Sequence, residues 1–345
     1  MTFSRFYLFI FLLGSLNALG IQTTHHISQV MELLDQGKYD SAAHQGVLFL
    51  KQYPENTDLA FITGKSFFLN ADLETADYYF NIVLEKKGVS KKQFSLALLG
   101  LAELEIFQLN LPRAYELLSS IDSVHLSIHK PELMPSLYFM YARYFFSTND
   151  ELSKKYYELA LLNTDGSNSE TIRIYLSYID FLLGSDQLLA KTLIDSTETI
   201  ITGYFKNHLP FKQELLVHKI QYLYWEQRYS EALKLCKLGI LNNQRINVRW
   251  SNLSSMRIYN LKVHTLLELH DYYRARKAAE NYVREVKQLK MISNDFLLFA
   301  YKRLYEINYY LGNYDVAVEF LRKSGGSGFG FDINYYSIYS ALNRG

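Results

Sequence analysis

The chain has 345 residues, and its 36 Lys and Arg balance 35 Asp and Glu. No concentrated basic charge marks a nucleic-acid partner, whose binders draw affinity from neutralising phosphates. Five prolines and seventeen glycines leave little for turn-rich β structure, whereas 29 Tyr and 22 Phe supply an aromatic core. In chain order, residues 1–20 come first, with one cation at Arg5, an apolar run from Phe6 to Leu13, and the small-residue pattern Ala18-Leu19-Gly20. This reads as a secretory signal peptide cleaved after Gly20, because the run is far shorter than the roughly 20 residues a bilayer core requires. The mature chain is therefore expected outside the cytoplasm, periplasmic or secreted, without stable membrane insertion. Its single cysteine, Cys236, cannot form an internal disulfide, so stability has to come from packing.

A repeating pattern follows. Gly37-x-Tyr39-x-x-Ala42 opens it, and Gly64-x-x-Phe67 with Ala76-x-x-x-Phe80 continues it; Ala42 and Ala76 lie 34 residues apart. Two antiparallel helices approach closely only where one offers Gly or Ala, and a bulky apolar residue must fill the space beside it. Small and large residues accordingly alternate at helical spacing. The same signature returns around Ala114, Ala190, Ala232, Ala275 and Ala317, with Tyr229, Tyr272 and Tyr314 three places before their alanines, as Tyr39 is before Ala42. The weakest copy, DELSKKYYELALL, aligns with Lys155 at the alanine position. A helix-turn-helix unit of this period and pattern resembles the tetratricopeptide repeat family, in its secreted or periplasmic bacterial type. The resemblance implies an all-α fold, a right-handed superhelical solenoid of about eight antiparallel helix pairs, spanning residues 21–323. Later spacings of 38, 41, 35, 42, 43 and 42, with Lys155 counted, resemble the longer-helix relatives of that family.

Proline placement agrees with the helical reading, since none of the five interrupts a helix interior, where it would cost about 3 kcal/mol. Pro54 follows a second helix, Pro112 falls in a first turn, and Pro131, Pro135 and Pro210 are expected in connections. Asp72 or Asn70 and Asn313 are candidate helix caps. Residues 324–331 form a Gly/Ser-rich hinge, followed at 332–345 by a C-terminal capping helix that starts at Asp332 and places Ile333, Tyr336 and Tyr339 on neighbouring turns. A detachable terminal peptide is the alternative for that segment.

Enzymatic chemistry has no signature here. His125 and His129 have the i, i+4 spacing of metal ligands, but they run into Pro131 and lack a His-Glu-x-x-His or Cys-x-x-Cys companion. His25 and His26 read as solvated, and Cys236, four residues after Ala232, as a buried thiol. The glycines of SGGSGFG lack the strand and the Lys-Ser of a phosphate loop. Neither catalytic residue, cofactor nor metal is expected. What the resemblance implies instead is a concave groove lined by the first helix of each pair. Phe61, Lys65 and Phe68 would line it in the second pair, Leu99 and Glu103 in the third, Met140 and Tyr144 in the fourth, and Tyr175 in the fifth. Tyr224 and Trp225 continue it in the sixth pair, Asn260 and His264 in the seventh, and Lys302, Glu306 and Tyr309 in the eighth. Aromatics with isolated Lys, His and Glu suit a protein or peptide partner. A non-enzymatic, exported binding scaffold is the expectation; the alternative is an extracytoplasmic sensor or regulatory module acting through a separate membrane partner.

Overall fold

The computed structural model of the chain describes residues 24–125, 131–164, 166, 168–243, 249–288 and 294–325. The expected signal peptide, His129 and the 332–345 helix lie outside the described residues, as does the hinge from residue 326 onward. Among the described residues there are sixteen α-helices and no strand. They are α1 (24–35), α2 (Tyr39–Gln52), α3 (Thr57–Leu69), α4 (Leu73–Glu85), α5 (Lys91–Phe107), α6 (Leu111–His125), α7 (Met134–Phe145) and α8 (Asp150–Leu162). Then come α9 (Ser169–Leu183), α10 (Gln187–Tyr204), α11 (Leu209–Trp225), α12 (Tyr229–Asn243), α13 (Arg249–Glu268), α14 (Tyr272–Gln288), α15 (Asn294–Tyr310) and α16 (Tyr314–Lys323). They form eight pairs in which an odd-numbered first helix precedes an even-numbered second one. The chain divides into two compact units, Met1–Leu104 with Glu116–His129, and Glu105–Tyr115 with Lys130–Gly345. Inside the second unit, α7 packs on α8, α9 on α10 and so on to α15 on α16; each second helix also packs on the next first helix, and α9, α11 and α13 touch in series. That is the nearest-neighbour stacking of a helical solenoid.

The close helix contact falls at the fourth residue of every second helix. Ala42, Ala76, Ala114, Ala190, Ala232, Ala275 and Ala317 all occupy it, and all are buried. In α8 the fourth residue is Ser153, not Lys155: Lys155 is exposed, whereas Ser153 is buried and its hydroxyl donates to the Ala142 carbonyl at 2.9 Å. Serine is small enough for the contact, and the sequence alignment, which puts Lys155 at this position, is out by two residues. Four places further along, Gly46 in α2 and Ala279 in α14 are themselves small, but in several second helices the residue there fills the space. Phe80 does so in α4, Tyr157 in α8 and Cys236 in α12, all buried. Burial pushes the Cys236 thiol up to about 12, so it packs as a protonated group. Phe80 is wedged between two glycines: a Cβ at Gly64 would lie 2.9 Å from its ring and one at Gly100 2.7 Å from it.

A three-residue turn joins the helices in seven of the eight pairs. In six of these the middle residue is left-handed: Gly37, Ala71, Leu109, Gln227, His270 and Gly312. The residue after it sends its amide back five places, as in Lys38 to Leu33, Asp72 to Phe67, Arg228 to Leu223 and Asn313 to Asn308, each at 2.9 Å. This is the Schellman closure, which satisfies carbonyls that the helix end would leave open. Four of the six positions hold a non-glycine residue and carry the strain of that conformation. At the other ends, side chains of Asn56, Asp72, Asn149, Asn168 and Asp186 accept amides three residues ahead. His208 caps α11 with its Nδ1, 3.1 Å from the Phe211 amide, while its ring stacks on Phe211. Asn313 sits at the cap of α16 without a capping bond and instead donates to Asn308 Oδ1 at 3.4 Å. Pro135 and Pro210 were expected in connections but are the second residues of α7 and α11, where the missing N–H has no helical partner to lose. His26, expected in water, stacks on Phe49 with ring centres 3.9 Å apart.

One buried charge network crosses three first helices of the second unit. Arg257 on α13 pairs with Glu214 on α11 and, at 3.3 Å, with Asp180 on α9. His218 on α11 lies between the same carboxylates, with Nδ1 3.4 Å from Asp180 and Nε2 3.7 Å from Glu214. Burial pushes the Asp180 carboxyl up beyond what Arg257 and His218 pull down. Burial acts upward on Glu214 too, but there Arg257 and His218 outweigh it and hold the carboxyl below the usual range.

Three stability measurements check these contacts. Gly100→Ala should cost about 1–3 kcal/mol by overpacking, and much less in a Phe80→Ala background, where the ring it strikes is gone; an additive cycle would contradict the wedge. Gln227→Gly should raise stability by about 0.5–1 kcal/mol, and Gly312→Ala should lower it by a similar amount, by relieving or introducing left-handed strain. Arg257→Met should cost about 3–5 kcal/mol, since it strands two buried carboxylates. Asp180→Leu and Glu214→Met added to Arg257→Met should recover most of that loss in urea melts.

Candidate functional site

The residues expected to line a groove are distributed over both units. In the first unit, Phe61 and Lys65 are half-buried, whereas Phe68, Leu99 and Glu103 are buried. Phe61 leans on Phe80 with ring centres 5.8 Å apart, so it shares in the wedge contact. In the second unit, Met140 is buried, Tyr175 is half-buried, and Tyr144 packs on Tyr115 at 5.4 Å. Asn260 is buried, Lys302 half-buried and Tyr309 about half exposed, in ring contact with Tyr305, Tyr310 and Tyr314.

Three expected residues are brought together at one place on α11 and α13. Tyr224 and Trp225 end α11, and their rings meet edge-on at 5.7 Å. Their adjacency sets the side chains about 100° apart around the helix, and both remain half-buried. The Tyr224 ring is 6.3 Å from His264 on α13, and its hydroxyl donates to the Glu268 carboxylate at 3.4 Å. Tyr229, the first residue of α12, closes a third side, its ring 5.9 Å from that of Tyr224. The third helix of the cluster is α15. Phe299 stacks on His264 at 6.1 Å, and the Arg303 guanidinium lies over Phe299 at 4.9 Å. Arg303 in turn holds Glu306 at 2.6 Å, which joins that expected residue to the cluster.

The electrostatics follow from burial. His264 is held well below its ordinary value by burial first and by Arg303 second, so it is neutral at pH 7. Burial, with Glu268 and Tyr229 adding to it, raises the Tyr224 phenol, and burial with Glu268 raises Tyr229. Both phenols therefore stay protonated. The arrangement offers aromatic area, a neutral imidazole and fixed charges in one layer, without a nucleophile beside a base. Among the described residues there is also no group of three His, Cys, Asp or Glu able to hold a metal ion. Sequence reasoning missed Tyr229, Glu268, Phe299 and Arg303 here, and the Asp180–Glu214–His218–Arg257 network on α9, α11 and α13. A signal for the network was present in lone charges within apolar stretches, IYLSYIDFLL and SSMRIYNL, and in the i, i+4 spacing of Glu214 and His218.

No protein-family model matches the chain, and no curated protein matches it. Solved structures do. The Rap protein complexed with competence and sporulation factor is similar over 88% of this chain and 97% of its own, at 11% identity and a TM-score of 0.59. NprR in complex with its cognate peptide NprX matches over 94% of each chain, at 13% identity and a TM-score of 0.60. A signal-transduction ATPase with a tetratricopeptide repeat sensor, from Pyrococcus horikoshii, covers 95% of this chain with 50% of its own, at 12% identity and a TM-score of 0.60. Helix pairs stacked along the second unit, a small residue at the fourth place of each second helix and these matches agree: the chain has the helical-repeat fold of tetratricopeptide proteins.

Proposed function

We propose that the chain is a non-enzymatic scaffold that binds a protein or peptide along the first helices of its second unit, and that it does so after export from the cytoplasm. The observation that carries this reading is the gathering of Tyr224, Trp225, His264, Phe299 and Arg303 on α11, α13 and α15. Interface energy concentrates in aromatic and arginine anchors set among polar neighbours, which is the composition of this layer. Two proteins of the same fold support it, since one is held with a cognate peptide and the other with competence and sporulation factor. The apolar run at residues 6–13 and the small residues at 18 and 20 support export. A sensor acting through a separate membrane partner is the second reading. It is favoured by the fold's presence in the quorum sensor NprR from B. thuringiensis, which matches at 12% identity and a TM-score of 0.52, and in the repeat sensor of the Pyrococcus ATPase.

Crosslinking in the native cell identifies the partner, and a titration with it tests the site. Trp225→Ala should lower affinity roughly thirtyfold, the effect of removing an anchor worth about 2 kcal/mol. Far-UV dichroism and melting should hardly change, because Trp225 ends its helix half-buried. Lost folding with unaltered affinity of the folded fraction would make Trp225 a packing residue and remove the anchor from this reading.

A further inference from the structure

The last pair leaves uncovered a face that the preceding pairs bury. In α9, α11 and α13 the places sixteen residues before the start of the following second helix hold Thr171, Gln213 and Met256, and the places thirteen residues before it hold Ile174, Leu216 and Tyr259. All six are buried. The next first helix helps to cover them: Leu216 clusters with Ile258 and Leu261 of α13, and Met256 and Tyr259 cluster with Phe296, Phe299 and Ala300 of α15. The eighth place of the second helix is treated alike. Its residue is buried from α2 through α14, and in α12 the Cys236 thiol lies 3.9 Å from the Ile258 carbonyl of the next first helix.

In the eighth pair the equivalent residues are Leu298 and Tyr301 on α15 and Leu321 on α16, and no further helix follows among the described residues. Leu298 is 38% exposed, and Tyr301 and Leu321 are only half-buried. Beside them Tyr301 stacks on Phe320 of α16 at 6.0 Å, and the Lys323 ammonium lies over both rings, 6.0 Å from Tyr301 and 5.2 Å from Phe320. The side on which a ninth pair would stack is therefore apolar and aromatic.

The chain itself continues past this end. Residues 326–345 carry one acid, Asp332, and one base, Arg344, and they place Tyr335, Ile338, Tyr339 and Leu342 at i, i+3, i+4 and i+7, the spacing of one helix face. Phe296, Phe299 and Ala300, which bring α15 onto α13, open with the same spacing. The connection 324–332 reaches up to about 30 Å when extended, whereas packed helices lie about 8–10 Å apart. A short tether sets an effective concentration on the order of millimolar. At micromolar protein the attached segment accordingly outcompetes the end of a second copy.

We propose that residues 333–342 form a helix that docks in cis on Leu298, Tyr301 and Leu321, with Tyr335, Ile338, Tyr339 and Leu342 turned toward them. It takes the place of a ninth first helix, covers the end of the array and keeps a second copy from stacking there. The cap is independent of what the scaffold binds.

Photocrosslinking of the full chain tests it. p-Benzoylphenylalanine replaces Leu298 in one variant and Leu321 in another, and a third carries it at Leu162 of α8, 81% exposed, as a control. At micromolar protein the first two should both join to a peptide within 332–345 in a product of monomer mass, and the control should not. Ile338→Asp combined with Leu342→Asp should lower that yield about fivefold, because it sets two charges against an apolar face. In a chain without the crosslinker, the same double substitution should speed amide exchange of 333–342 about tenfold and leave α1–α14 unchanged. Products of dimer mass would make the face an interface between copies and overturn the cap. Products that miss 332–345, or exchange in 333–342 already as fast as in the double variant, overturn it as well.

Discussion

Every pair in this chain depends on one steric condition: at the fourth residue of the second helix, two backbones approach so closely that only a small side chain fits. Seven alanines and Ser153 meet it. Close approach lets the residue four places on reach across the interface. Phe80 does so between Gly64 and Gly100, and Tyr157 does so against Phe139, Tyr178 and Phe181. Dispersion in such contacts is short-ranged, so a gap of even half an ångström forfeits a sizeable part of it. With one cysteine and no disulfide among the described residues, this packing is the main cohesive term.

That condition is also why the fold was legible. A repeated small residue with an aromatic three places before it states a helix contact directly, and the glycines at 64 and 100 mark where an aromatic intrudes. The slip at Lys155 shows the limit of the signal. Ser153 satisfies the steric rule as well as alanine does, but its hydroxyl makes it look like a surface residue until Ala142 is seen to accept its proton. The turns were only partly visible for a similar reason. Gly37 and Gly312 announce a left-handed residue, whereas Leu109, Gln227 and His270 adopt the same geometry without glycine, imposed by the helices they join.

The candidate site was less legible because it is assembled across pairs. Tyr224, Trp225 and His264 are among the expected inner positions, but Glu268 meets Tyr224 and Arg303 acts on His264, partners some 40 residues away, a separation no single-helix pattern reports. The burial of His264 has the same origin, since Phe299 of the next first helix stacks on it. Periodicity within one helix reports amphipathicity, and it is silent about what the neighbouring pair brings.

The irregular spacing of the repeat has a structural source that bears on what the second unit can bind. The turn inside the pairs keeps three residues in seven of eight cases, so it does not absorb the extra length. Helices do. The pair α3–α4 has helices of 13 and 13 residues, whereas α13 and α14 have 20 and 17. Seven added residues lengthen a first helix by about 10 Å, at 1.5 Å per residue. Added length on α11 and α13 provides room for two polar layers on the same helices, one deep and one near the turn. The deep layer is the Asp180–Glu214–His218–Arg257 network, in which Arg257 pairs with both carboxylates. The upper layer holds Tyr224 between His264 and Glu268. A 34-residue pair has room for the packing contacts and little else. Longer first helices in the second unit carry both layers in addition to the packing contacts.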